Sequence, residues 1–275
     1  LFALAAFQIS AWVDRCDRTT ITVLPLPGSC IYVDAESRSQ DLMINCGDAA
    51  GGAAVVQPFL QAQGLNRLDQ LLITHGELAQ VGGFIALESN FNIQKFLVST
   101  LRFRSVAYRE LIEDLDQTPE RLDRVSRSQF VAGWRVLHPQ ATDRFSTADD
   151  GAVVLIREIH GTRILMLSDL GRLGQRALLE REGDLRADIV IAGISGNAEP
   201  LNAALLERIR PRLIVVACAE FPSSARASPM LRERLRHSGI PVFYTSDQGA
   251  VTLRICAEGW RVSMARNGRA DANGK

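Results

Sequence analysis

After Asp169 the chain alternates between helical and strand patterning with little between them, and this alternation constrains the fold more than any other feature. Helical spacing over 175–182 gives way to the apolar run Ile189–Ala192, then helical spacing over 201–210, the run Leu213–Ala217, helical spacing over 230–237 and the short run Val242–Tyr244. Short apolar runs alternating with helical spacing in this way predict strands of a sheet with helices outside it. The first half begins differently. From Ile21 to Asn45, apolar runs broken by Pro25, Pro27 and Gly28 predict three strands joined by tight turns. Helical spacing over 53–63 leads into the strand Leu71-Leu-Ile73 and another over 95–98, while the charged stretch 102–127 predicts surface helices with a break before Pro119. A second strand series follows at 134–137, 153–159 and 163–167, its last two members joined by a hairpin-like turn at His160-Gly161. The finish is antiparallel, 250–255 against 261–264 around Glu258-Gly259. Strands followed by helix–strand alternation, performed twice, predict an α/β protein with two mixed sheets packed face to face and helices outside.

Charge narrows the possible partners. The 31 basic and 31 acidic side chains cancel, so no overall field concentrates a polyanion, and any nucleic-acid contact needs a local patch. Arg102-Phe-Arg104 and the stretch Arg226 to Arg236 are the candidates, although Leu231-Arg-Glu-Arg-Leu-Arg236 also fits a solvated, ion-paired helix face. Lysine occurs only at Lys95 and Lys275, so the Gly-Lys-Ser/Thr of a P-loop cannot form; nucleotide-triphosphate motors are excluded, and no nucleotide cofactor is expected. The five cysteines, Cys16, Cys30, Cys46, Cys218 and Cys256, lie in apolar stretches without a C-x-x-C pair and fit small buried hydrophobes. Residues 1–19 form an N-terminal segment whose apolar start, Leu1 to Phe7, suits either the tail of a membrane helix or a buried terminal element. The main domain is expected over 20–265, with a polar, disordered tail over 266–275.

The apolar strand at 71–73 ends in Thr74-His75-Gly-Glu77-Leu-Ala79-Gln80-Val-Gly82-Gly83. In position, strand context and closing glycines this segment resembles the metallo-β-lactamase signature Thr-His-x-His-x-Asp-His-x-Gly-Gly. His75 matches its first histidine, and Glu77, Ala79 and Gln80 stand where the family has His, Asp and His. Further landmarks resemble, in order, the C-terminal domain of the ComEC competence-protein family. Asp41-Leu-Met-Ile-Asn45-Cys-Gly47 resembles that family's Leu-Ile-Asp-x-Gly, with Asn45 for Asp. Val136-Leu-His-Pro139, Asp149-Asp-Gly-Ala-Val-Val154 and Ile164-Leu-Met-Leu-Ser-Asp169 resemble Leu-His-Pro, Asn-x-x-Ser-Leu-Val and Leu-x-x-Gly-Asp. Ile194 and Ser195 replace a histidine pair, and Gly239 to Val251 resembles the closing strand pair. The family's opening Gly-Gln-Gly-Asp turn is absent, with Leu26-Pro-Gly-Ser-Cys30 in its place.

The resemblance implies a four-layer αββα sandwich and a degenerate, non-catalytic domain of a ComEC-like membrane protein associated with DNA uptake. It would be bacterial and membrane-associated, its partners the membrane portion of a longer chain and single-stranded DNA held by local Arg patches. Two-metal hydrolases need several anionic or imidazole donors on neighbouring loops. Here the vestigial candidates are His75, Glu77 and Asp169, so no cofactor is expected beyond, at most, a single zinc or manganese ion. Asp169 would be the family's bridging carboxylate, or simply a cap for the helix that follows. The alternatives are a mononuclear metal-dependent phosphodiesterase or nuclease, and a stand-alone binding protein of the same fold. A serine nucleophile at Gly193-Ile-Ser195-Gly-Asn197 is disfavoured because the last position of the elbow is not glycine.

Overall fold

The computed structural model describes residues 18–196 and 198–266, together with the backbone of 268–274. Two mixed sheets lie face to face. The strands are β1 (Arg18–Val23), β2 (Ile31–Asp34), β3 (Leu42–Ile44), β4 (Arg67–Ile73), β5 (Asn92–Ser99) and β6 (Leu122–Val125), then β7 (Phe130–Val131), β8 (Trp134–His138), β9 (Val154–Ile159) and β10 (Thr162–Ser168). They continue as β11 (Ile189–Gly193), β12 (Leu213–Ala217), β13 (Val242–Tyr244), β14 (Val251–Cys256), β15 (Gly259–Met264) and β16 (Gly268–Gly274). The first sheet runs β16-β15-β14-β1-β2-β3-β4-β5-β6 and the second β13-β12-β11-β10-β9-β8-β7. Within them, β3 to β6 pair in parallel, as do β10 to β13, and the remaining neighbours are antiparallel.

Side-chain alternation along the central strands builds three apolar layers from one sequence pattern. Leu72 points between the sheets, where it joins Ile21, Val33, Trp134, Ile191, Val215 and Leu253. Leu71 and Ile73 point the other way and pack beneath the helical segment 49–62 and the helices Phe84–Asn90 and Val106–Leu115. Val190 and Val216 do the same on the second sheet, under Arg172–Arg181, Ala203–Ile209 and Pro229–His237. Strands covered on both faces read as unbroken apolar runs, which is why the alternation after Asp169 was legible. Helix–sheet–sheet–helix is the four-layer αββα sandwich expected.

Three expectations need correction. The stretch 102–127 is not helical throughout: its helix is Val106–Leu115, and Leu122–Val125 is edge strand β6, paired in parallel with β5. Four residues of Leu-Asp-Arg-Val alternation are too short to stand out within a charged run. The tail expected to be disordered contributes β16, which extends the sheet at β15; main-chain hydrogen bonding to an open edge needs no apolar side chains. Strand β1 includes Arg18 and Thr19, which the expectation had left in the N-terminal segment. The membrane-helix expectation for 1–19 falls otherwise outside the described residues, and no helix among those described is long and apolar enough to cross a membrane. Cys30, Cys46 and Cys218 are free and buried and Cys256 is free and half-buried, as expected for small hydrophobes, whereas Cys16 lies outside the described residues.

Candidate metal centre

The carboxyl ends of β3, β4, β10 and β11 meet at one edge of the sandwich, where the chain leaves the sheets in loops that gather polar side chains. Asn45, just past β3, adopts a left-handed conformation (φ 59°) that asparagine tolerates well. Its amide ties three segments together. Nδ2 donates to the Gly28 carbonyl at 2.6 Å, and Oδ1 accepts from the Thr74 backbone N–H at 2.9 Å and the Thr74 hydroxyl at 3.1 Å. An aspartate here could not donate to a carbonyl, so asparagine turns a ligand-loop position into a structural clamp. Val153 N–H donates to the Thr74 carbonyl at 3.0 Å, drawing the 149–153 turn against the His75 loop.

That turn divides its two carboxylates between two tasks. Asp150 accepts from the backbone N–H groups of Leu173 and Gly174 at 2.7 and 3.2 Å, capping the helix Arg172–Arg181. Asp149 faces His75 instead, with Oδ1 at 3.4 Å from Nε2, while Oδ2 accepts from the Ser195 hydroxyl at 2.6 Å and the Gly196 N–H at 2.8 Å. Asp169 is therefore not the cap of the following helix. It lies buried at the end of β10, one oxygen accepting from the Ser29 hydroxyl and the other from the Gln80 side-chain amide at 2.8 Å. Gln80 stands where the related signature has a histidine, and its neutral amide donor engages one oxygen of the carboxylate.

Among the described residues, the metal-competent group is His75, Glu77 and Asp149, whose ligand atoms lie within 4.8 Å of one another. His75 and Glu77 are brought together as the sequence suggested. Asp169 is not in this group, because Ser29 and Gln80 engage its oxygens, and Asp149 takes the third place. The sequence signal for Asp149 was its position in the Asp149-Asp-Gly landmark, where the resemblance supplies asparagine. Ala79 offers no donor at all. Ser195 serves Asp149 as a hydrogen-bond donor, and Asn197 lies outside the described residues.

Burial and charge oppose each other throughout the site. Burial pushes Asp169 up to about 6, aided by Asp149 and resisted by His75, Ser29 and Gln80. Burial also acts to raise Asp149, but His75 and the Ser195 and Gly196 donors hold it below the usual carboxylate range. His75 is pulled down by burial and lifted above its ordinary value by Asp149, Asp169 and Glu77. Glu77 is raised by burial and by Asp149. Two polar atoms stay orphaned in this setting: among the described residues, His75 Nε2 and Gln80 Oε1 are buried with no hydrogen-bond partner.

A cleft of about 770 Å³ opens beside the site, lined by Glu77, Arg102, Phe103, Arg104, Arg144 and Phe145 among others. Phe103 packs edge-on against His75, with centroids 6.5 Å apart, and against Tyr108 at 5.1 Å. The second arginine stretch differs. Arg232 pairs with Asp247, Arg234 with Glu199 and Arg236 with Glu233, so the helix Pro229–His237 is an ion-paired surface.

No protein-family model matches the chain. It is 19% identical over 207 residues to ComE operon protein 3 of Bacillus subtilis, an alignment covering 74% of this chain and 26% of that protein. It is 21% identical over 241 residues to competence protein ComA of Neisseria gonorrhoeae, covering 87% and 33%. The chain thus spans between a quarter and a third of the length of these relatives. Among solved structures, Igni18, a metallo hydrolase from the archaeon Ignicoccus hospitalis, superposes with a TM-score of 0.53 at 16% identity, over 85% of this chain and 98% of that one. The class is the metallo-β-lactamase-type sandwich. Within it, this chain resembles part of the ComEC-type competence proteins, at 19% and 21% identity to the two relatives above.

Proposed function

We propose that this chain is a competence-related domain that keeps the hydrolase scaffold without its two-metal chemistry and acts as a non-catalytic binding domain of a longer membrane protein engaged in DNA uptake. The observation that carries this is the state of Asp169: a hydroxyl and a primary amide complete its coordination from within the protein. An in-line displacement clamped between two ions needs a carboxylate free to bridge them. Asn45, committed to a carbonyl and a backbone N–H, and Ala79, without a donor, remove two further supports.

The cleft supports a binding role. Arg102 and Arg104 flank Phe103, and Arg144 precedes Phe145, on two loops that face the same space. Cationic side chains interleaved with aromatic rings suit single-stranded nucleic acid, the phosphates meeting the guanidinium groups and the bases stacking on the rings. The expected result is binding of a single-stranded oligonucleotide that weakens steeply with salt and is reduced at least tenfold in an Arg102→Ala, Arg104→Ala double variant. Neither manganese nor zinc should induce cleavage of that oligonucleotide. Metal-dependent cleavage abolished by His75→Ala would overturn the non-catalytic role and favour the second possibility, a mononuclear phosphodiesterase, which the proximity of His75, Glu77 and Asp149 supports.

A further inference from the structure

The two halves of the ancestral-type site have different fates. On one side, Asp169, Gln80 and Ser29 satisfy one another and Ala79 contributes nothing, so a second ion does not fit. On the other, the ligand atoms of His75, Glu77 and Asp149 converge, with His75 Nδ1 held by the Thr74 hydroxyl and the far oxygen of Asp149 held by Ser195 and Gly196. His75 is fully buried, yet its Nε2 makes no hydrogen bond; its approach to Asp149 Oδ1, 3.4 Å, exceeds the distance of a good N–H···O bond. A buried imidazole nitrogen that faces two carboxylates without a well-formed hydrogen bond is placed to coordinate a cation between them.

We infer that His75 Nε2, Asp149 Oδ1 and the Glu77 carboxylate form a one-cation site for a borderline divalent ion such as zinc or manganese. Neither Glu77 nor Asp149 is a residue type that the family signature supplies. One imidazole and two carboxylates suit these ions, and three protein ligands with an open position for water form a recognised arrangement. Donors about 2.1 Å from one four-coordinate ion lie about 3.4 Å apart, the separation already found between His75 Nε2 and Asp149 Oδ1, so from a spread within 4.8 Å the remaining closure falls to Glu77. Glu77, exposed at the cleft, is free to make it. The Ser195 and Gly196 donors hold the far oxygen of Asp149 and leave Oδ1 for the ion, the kind of support that orients metal-binding carboxylates. An ion here would face the Arg-lined cleft, with one position open to an anionic oxygen.

This site is independent of whether the domain hydrolyses anything, and titration calorimetry separates the two questions. Wild-type protein is expected to bind one equivalent of manganese or zinc. Glu77→Gln, a change at an exposed side chain that leaves folding intact, should weaken binding at least tenfold, and Asp149→Asn at least as much. Asp169→Asn should leave the stoichiometry at one and the affinity within about threefold, because that carboxylate lies outside the trio. Absence of saturable binding, an unchanged affinity in Glu77→Gln, or loss of binding in Asp169→Asn would overturn the inference. Binding together with phosphodiester turnover would uphold the site and overturn the non-catalytic role proposed above; absence of binding would do the reverse.

Discussion

Replacing Gly193 by alanine is expected to destabilise the domain by about 2.5–6 kcal/mol, or to prevent it folding. Gly193 ends β11 in parallel register with Ala217 of β12, so its backbone is held from one side by the sheet. A Cβ there would overlap the Asp169 carboxylate and the Ser29 hydroxyl. Neither is the loose end of a flexible side chain. Asp169 is buried and fixed on its other oxygen by Gln80, and Ser29 sits in a left-handed turn (φ 50°) next to Gly28, where a Cβ would meet the Ala79 carbonyl. The variant must therefore break a charge-assisted bond, worth about 1.5–3 kcal/mol, and overpack a closed site at about 1–3 kcal/mol more. Urea unfolding measures the loss; a change below 1 kcal/mol would mean that Asp169 has room to move.

Asp169→Asn is expected to gain on the wild type by up to about 3 kcal/mol between pH 4 and pH 7. The sign follows from where each state holds its proton. Asp169 is raised from near 3.8 to about 6 in the fold, chiefly by burial. Over that interval the unfolded chain has shed the proton and the folded chain keeps it. The stability tied to the protonated form is therefore present below pH 3.8 and lost as pH rises through 6. Asparagine has no proton to lose. It also presents an N–H₂ group that the orphaned Gln80 Oε1 can accept once that amide turns. Thermal unfolding of both proteins across this range, without added metal, measures the difference. A variant that instead loses stability as pH rises would show that Asp169 draws on a positive partner, as a metal ligand does.

Much of the fold was legible because its strands are covered on both faces. Ile189–Gly193 and Leu213–Ala217 are continuous apolar runs, each followed by a helical period, and the observed elements begin within two or three residues of their expected limits. Leu122–Val125 and Gly268–Gly274 were not legible, since edge strands are held by main-chain pairing and carry little apolar signal. The site was half legible. His75 and Glu77 are close in sequence and follow one strand, so their proximity is local. Asp149 reaches them through a turn fastened by Val153 to Thr74, a contact across 79 positions that no periodicity announces. Asp169 kept the family's residue type, but whether it was free depended on Gln80 and Ser29, 89 and 140 positions away. Identity at a ligand position therefore shows where the chain passes, and the neighbours decide what the side chain can do there.

The most direct measurement is anomalous diffraction from crystals equilibrated with excess zinc. The expected result is one peak among His75 Nε2, the Glu77 carboxylate and Asp149 Oδ1, with Asp169 still joined to Ser29 and Gln80. Two peaks bridged by Asp169, with the Gln80 amide displaced, would contradict the claim that this half of the site is closed by the protein itself.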